Sequence, residues 1–304
     1  MRFGVAEKVV LSVVLTATVF PVSEASADEA EVHYRMCLVH KQAGRMQQAL
    51  EECRVATRLR PSHAAAHFST GTIQRREGLL EPALRSFRRA AELQPQNANS
   101  HGMVGAVLIR LRRYDQAIEP LRRACELEPD EASNWANLGM AYRRLRRNED
   151  AMRAYQAGLE RAPEDAQLLN NLAVVYRRER MNEQAIVLLT EALAQTSNEN
   201  NHELHLNLAI TLRAATRYDE AIPHYVRALA LGARGEGPLF DLAVCYEQVG
   251  QYALALETYE RFVAEVASRN PAAAQRARDT MERLRQRLHR PFGLAGSLRG
   301  RDPD

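Results

Sequence analysis

The chain has 304 residues, of which 46% are hydrophobic and 26% charged, a composition that excludes a wholly disordered protein. Its formal net charge of +3 is too small a surplus to call for nucleic acid, which binds clearly basic domains. Aromatic residues make up only 6%, and the strong helix formers Ala, Leu, Arg, Glu and Gln dominate, so the expected fold is all-α.

The first predicted element is a leader. Arg2 and Lys8 give a charged start, residues 9–20 (VVLSVVLTATVF) are apolar, Pro21 breaks the run, and Ala25-Ser26-Ala27 offers a small-x-small cleavage site. Residues 1–27 read as a secretory signal peptide, with an uncleaved or buried N-terminal helix as the alternative. The run is shorter than the roughly 20 apolar residues a membrane span needs. Nothing later in the sequence resembles a span, so the mature chain is expected to be exported, periplasmic in a bacterium or otherwise secreted.

A regular period follows. Pro61, Pro95, Pro129 and Pro163 are each 34 residues apart. Around them one order recurs: a helix ends, a proline turn follows, acidic or amide residues open the next helix, and an apolar stripe resumes. Counted within the period, small residues stand eighth (Cys37, Gly71, Gly105, Gly139, Ala173, Ala209, Ala243). Alanines stand twentieth (Ala49, Ala83, Ala117, Ala151, Ala185, Ala221, Ala255), and larger residues twenty-fourth (Cys53, Phe87, Leu121, Tyr155, Leu189, Tyr225, Tyr259). A chance amphipathic helical protein would not keep one phase over so many copies.

This pattern resembles the tetratricopeptide repeat family, whose unit is a helix–turn–helix of 34 residues. The resemblance implies a right-handed α-solenoid superhelix of about seven repeats, starting at residues 30, 64, 98, 132, 166, 202 and 236. The pattern weakens in the first repeat, which has His33, Cys37 and His40 where Trp, Gly and Tyr are typical. It is interrupted by the polar insertion at 197–201 and by the Gly-rich turn at 232–237, two junctions where the stack is expected to bend or loosen. Asn270-Pro271 then opens a last helix, 271–289, with Ala277, Met281, Leu284 and Leu288 on one face and charges on the other. It reads as the polar cap a solenoid requires, closing a domain of residues 28–289. Residues 290–304 are predicted to be a disordered tail.

In this family the first helices of the hairpins line a concave groove that holds an extended peptide or a partner helix. By the same resemblance, Asn137, Asn171 and Asn207 stand at the sixth, groove-facing position of three consecutive repeats, with Asn170 beside them. An Asn amide offers two donors and an acceptor, so a row of them can pair with a peptide backbone whatever its side chains. Bridging between neighbouring helices is the other reading. Arg75, Arg143, Arg177 and Arg213 stand twelfth, reading either as a basic rail for acidic side chains or as cations offsetting helix C-termini. The Lys and Asn set that clamps a chaperone C-terminus is missing.

His33, Cys37 and His40 share a helix face, and Cys53 belongs to the partner helix. Three readings compete: a worn repeat using Cys as an apolar filler, a Cys37–Cys53 disulfide in an oxidising compartment, or a soft-metal site. No nucleophile elbow, phosphate loop or metalloprotease helix is present, so neither enzyme activity, resident metal nor cofactor is expected. The function expected is a scaffold or assembly factor of the cell envelope that binds an extended, acidic segment of another protein. A self-associating structural solenoid and a redox- or metal-responsive protein centred on the first repeat are the alternatives.

Overall fold

A computed structural model describes residues 24–289, with side chains from Asp28 to Leu288; the apolar run of the leader and the tail 290–304 lie outside the described residues. Among the described residues there are 15 helices and no strands. They are α1 (Glu24–Gln42), α2 (Met46–Leu59), α3 (Ala64–Arg76), α4 (Leu80–Leu93), α5 (Ala98–Arg110), α6 (Tyr114–Leu127), α7 (Ala132–Arg144) and α8 (Asn148–Leu159). There follow α9 (Ala166–Arg178), α10 (Asn182–Leu193), α11 (His202–Ala214), α12 (Tyr218–Ala230), α13 (Glu236–Gln248), α14 (Tyr252–Val266) and α15 (Pro271–His289). The fold is an all-α solenoid of helical hairpins. Its helices fall into two compact units, α1–α4 and α5–α15, divided between Gln94 and Pro95.

Most of the hairpins begin alike, the seventh, which opens on Gly235, being an exception. A side chain just before the first helix takes up a free backbone N–H: Asn97 accepts from Ser100, Asp165 from Leu168 and Asn201 from Leu204. The first helix ends in a tight turn whose fifteenth residue is left-handed. Gly fills that place at Gly44, Gly78 and Gly250, but Arg112, Arg146, Arg180 and Thr216 also adopt φ near 60°. Such a backbone disfavours a side chain, a β-branched one most of all.

The hairpin then closes where its eighth residue meets its twenty-fourth. A Cβ added to Gly139 would lie 2.3 Å from Tyr155 Cε1, and one added to Gly105 would lie 2.3 Å from Leu121 Cγ. Only a hydrogen fits there, so the glycines bring the helix axes together over the large residue. Tyr155, Leu121 and Phe87 are fully buried in consequence, each removal from water contributing about 1.5–3 kcal/mol.

The first unit closes its two hairpins on Cys37, Ala49, Leu50, Cys53 and Ile73. Its α1 begins at Glu24 rather than at residue 30, because the intervening Ala-rich, acidic run suits the first turns of a helix. In the second unit α15 lays Ala273, Ala277, Met281 and Leu284 on Tyr259, Phe262 and Val266. Leu288, in the same stripe, stays exposed and lines a shallow pocket with Gly250, Tyr252 and Leu254 at the start of α14.

The insertion at 197–201 is not loose locally. Asn198 is 3% exposed and donates to the Glu164 carbonyl, while Ser197 donates to the Glu164 carboxylate. The polar residues that break the repeat pattern bind it to the turn of the repeat before.

Candidate functional site

The candidate site lies on the first helices of the second unit, α7, α9, α11 and α13. Adjacent members of this row touch one another. Three lines of side chains run across them: Asn137, Asn171, Asn207 and Asp241; Met140, Val174, Ile210 and Val244; Arg143, Arg177, Arg213 and Glu247. All are half-buried. Successive members on one helix are three residues apart, so each helix contributes an amide or acid, an apolar residue and a charge to one face. An apolar floor therefore runs between an amide row and a cation row.

The amide row does two things. Asn207 Nδ2 donates to Asn170 Oδ1 at 2.9 Å, and Asn170 Nδ2 donates to Glu203 Oε2 at 3.2 Å. Asn170, 8% exposed, thus bridges α9 to α11 instead of facing a ligand. Asn137 and Asn171 have no side-chain hydrogen-bond partner among the described residues.

The arginine row is also uneven. Arg213 Nε donates to the Tyr225 hydroxyl at 3.3 Å, and its Nη2 lies 3.4 Å from Asp241 Oδ2. Tyr225 in turn donates to Asp241 at 3.2 Å. Burial raises both the Tyr225 phenol and the Asp241 carboxyl above their ordinary ranges, against the pull of Arg213. Arg177 has no ion pair among the described residues. Burial holds it below the usual guanidinium range; Arg178 and Arg213 add to that, while Tyr225 and Asp241 pull the other way. Arg143 lies against the Tyr155 hydroxyl without hydrogen-bond geometry, since both its Nε and that hydroxyl lack a partner. A carboxylate between Arg143 and Arg177 would supply the missing acceptors. Arg75 belongs to α3 in the first unit.

The sequence reading missed the reversal at the end of the rows. One repeat beyond Asn207 and Arg213 the same positions hold Asp241 and Glu247, and both acids bind tyrosine hydroxyls of the twenty-fourth position, Tyr225 and Tyr259. Following the two positions one repeat further along the sequence would have found it. It also missed the use of Trp135, whose Nε1 donates to the Pro129 carbonyl at 2.7 Å. His67, His101 and His205 place Nε2 on the carbonyl six residues earlier in the same manner.

In the first unit Cys37 and Cys53 are joined in a disulfide, Cα atoms 5.2 Å apart. Neither sulfur is therefore a thiolate for a metal, and His33 lies 2.6 Å from Glu52 through Nδ1. Cys125 and Cys245 are buried free thiols, pushed up by burial to about 12 and about 11.

Sequence profiles of the tetratricopeptide repeat match residues 34–98, 81–134 and 206–274, residues 132–175, and residues 164–234. No curated protein matches the chain by sequence. Among solved structures, a tetratricopeptide repeat protein from Parabacteroides merdae is 14% identical, with a TM-score of 0.59 over 86% of this chain and 99% of that one. YrrB, a TPR protein with an unusual peptide-binding site, is 22% identical, with a TM-score of 0.52 over 64% of this chain and 98% of its own. PilF of Pseudomonas aeruginosa is 19% identical, with a TM-score of 0.51 over 84% of this chain and 99% of its own. At these identities the likeness is one of fold.

Proposed function

The chain belongs to the tetratricopeptide repeat family, and on that premise we propose that it is an exported protein-interaction scaffold whose second unit holds an extended, acidic segment of an envelope protein. The observation that carries the reading is the difference between two neighbouring arginines. Arg213 has Asp241 as its carboxylate. Arg177, half-buried beside it, feels the same carboxylate at longer range but makes no ion pair among the described residues, and leaving a cation partly desolvated without a paired counter-charge is unfavourable. A ligand carboxylate offsets that penalty, with Asn137 and Asn171 placed to pair with the ligand backbone and Met140 and Val174 to cover its apolar side chains. The existence of a peptide-binding site in YrrB supports the use of such a fold in this way.

Export is the second part of the proposal. A disulfide persists in oxidising compartments and is uncommon in the cytosol, so Cys37–Cys53 agrees with the leader read from the sequence.

The test is an affinity capture from envelope extract, with the full chain as bait beside a variant carrying Asn137→Ala, Asn171→Ala and Arg177→Ala. Loss of the captured protein with unchanged helix content supports the groove. Equal capture by both baits removes it as the site. Fractionation of cells making the chain tests export, and a product confined to the cytosol with its leader intact would refute that part.

A further inference from the structure

The first helix carries an apolar stripe that no other described residue covers. Val32, Met36 and Val39 of α1 are 55%, 41% and 57% exposed. They stand third, seventh and tenth in the repeat, spaced four and three apart, and so lie on one helix face. In the repeats that follow, those three positions are among the best buried. They are Ala66, Thr70 and Ile73 in the second repeat, 0%, 6% and 1% exposed. They are Leu168, Leu172 and Val175 in the fifth, at 0%, 2% and 0%. What covers them is the second helix of the repeat before: α2 packs on α3, and α8 on α9. A solenoid end that is meant to meet water carries polar residues at such positions, as the outer face of α15 does with Arg278, Glu282 and Arg285. The α1 stripe keeps apolar side chains there instead.

We infer that this stripe is a dimer interface, on which the α1 helix of a second copy of the chain packs antiparallel about a two-fold axis. Two features fit that occupant. The spacing permits it: an antiparallel pair that sets Val32 of each copy against Val39 of the other places each Met36 opposite the other copy's Arg35, whose guanidinium is paired with Glu31 of its own helix. The charge is complementary in the same register. Asp28 and Glu29, both exposed, precede the stripe, and exposed Arg45 follows it. Antiparallel pairing therefore brings each copy's acidic end to the other's basic end, while parallel pairing sets like charges together. A two-fold contact of this kind closes on itself and does not propagate into a filament. It uses residues of the first unit, none of which belongs to the proposed groove, and stands or falls separately from it.

The experiment is sedimentation equilibrium of the full chain, purified from whichever compartment holds it, alongside three variants. The unaltered chain is expected to be a dimer that dissociates on dilution. Met36→Glu is expected to weaken it by about 30-fold or more, the scale of losing one interface anchor. Its circular dichroism should be unchanged, because the altered side chain is exposed. A chain with Asp28→Lys and Glu29→Lys, and a chain with Arg45→Glu, should each be monomeric alone and form a mixed dimer when combined. A monomeric unaltered chain would overturn the inference, as would a dimer indifferent to Met36→Glu. So would charge variants that fail to recover on mixing, which would leave the stripe to a different protein or to a membrane surface.

Discussion

The first and fourth hairpins bring two helices together at the same two positions by opposite means. In the fourth, Gly139 offers no side chain and Tyr155 fills the space, fully buried. In the first, both positions are cysteines, and Cys37 and Cys53 are bonded. The close approach is thus what the repeat needs, and small-against-large packing is one way to hold it. At the first hairpin a covalent link replaces the packing a large side chain would supply.

The comparison breaks most visibly at the disulfide. Replacing both Cys37 and Cys53 by Ala is expected to destabilise the first hairpin by about 3 kcal/mol, the chain-entropy value for a loop of this size. The pair is 16 residues apart. Thiol titration of the denatured, unreduced chain should find the two cysteines Cys125 and Cys245, and four thiols would contradict the bond. Gly139→Ala comes next. Its Cβ would overlap the Tyr155 ring, and overpacking of this kind costs about 2 kcal/mol. Denaturant unfolding of the double variant Gly139→Ala with Tyr155→Leu should recover part of that loss, since the two changes share one contact.

Smaller effects sharpen the comparison within the second unit. Tyr225→Phe removes a hydroxyl that Arg213 and Asp241 both use, and should cost about 1 kcal/mol. Tyr155→Phe removes a buried one with no hydrogen-bond partner and should hold or raise the midpoint of unfolding, not lower it. Thr216→Gly should raise stability by about 1 kcal/mol, because a β-branched residue at φ 60° is strained and Gly is not. A fall in the melting temperature of that variant would show that the turn is set by other contacts.

The all-α solenoid was legible because its causes are local and repeated. Prolines at a fixed spacing, small residues at one position and large ones at another each dictate the same hairpin. The site was legible only as lines of residue types. That Asn170 bridges helices while Asn171 does not depends on the rotation of about 100° between successive helix residues and on Glu203, a neighbour from the next repeat. That Arg213 is occupied and Arg177 is not depends on Asp241, an acid where an amide would continue the row. The division at Gln94 and Pro95 has no mark in the repeat pattern, which keeps its phase across that point. The anchoring of the 197–201 insertion through Asn198 shows the same limit: polarity reads as a loose loop until its partner, the Glu164 carbonyl, is in place.

The most direct measurement compares Arg177→Ala with Arg213→Ala in an equilibrium titration with the acidic segment of the captured partner. Arg177→Ala is expected to weaken binding by about tenfold or more, the scale of one charge-assisted hydrogen bond, and Arg213→Ala to lower stability while leaving affinity close to unchanged. Equal affinities in both variants and the unaltered chain would contradict a carboxylate at Arg177 and remove the groove as the binding site.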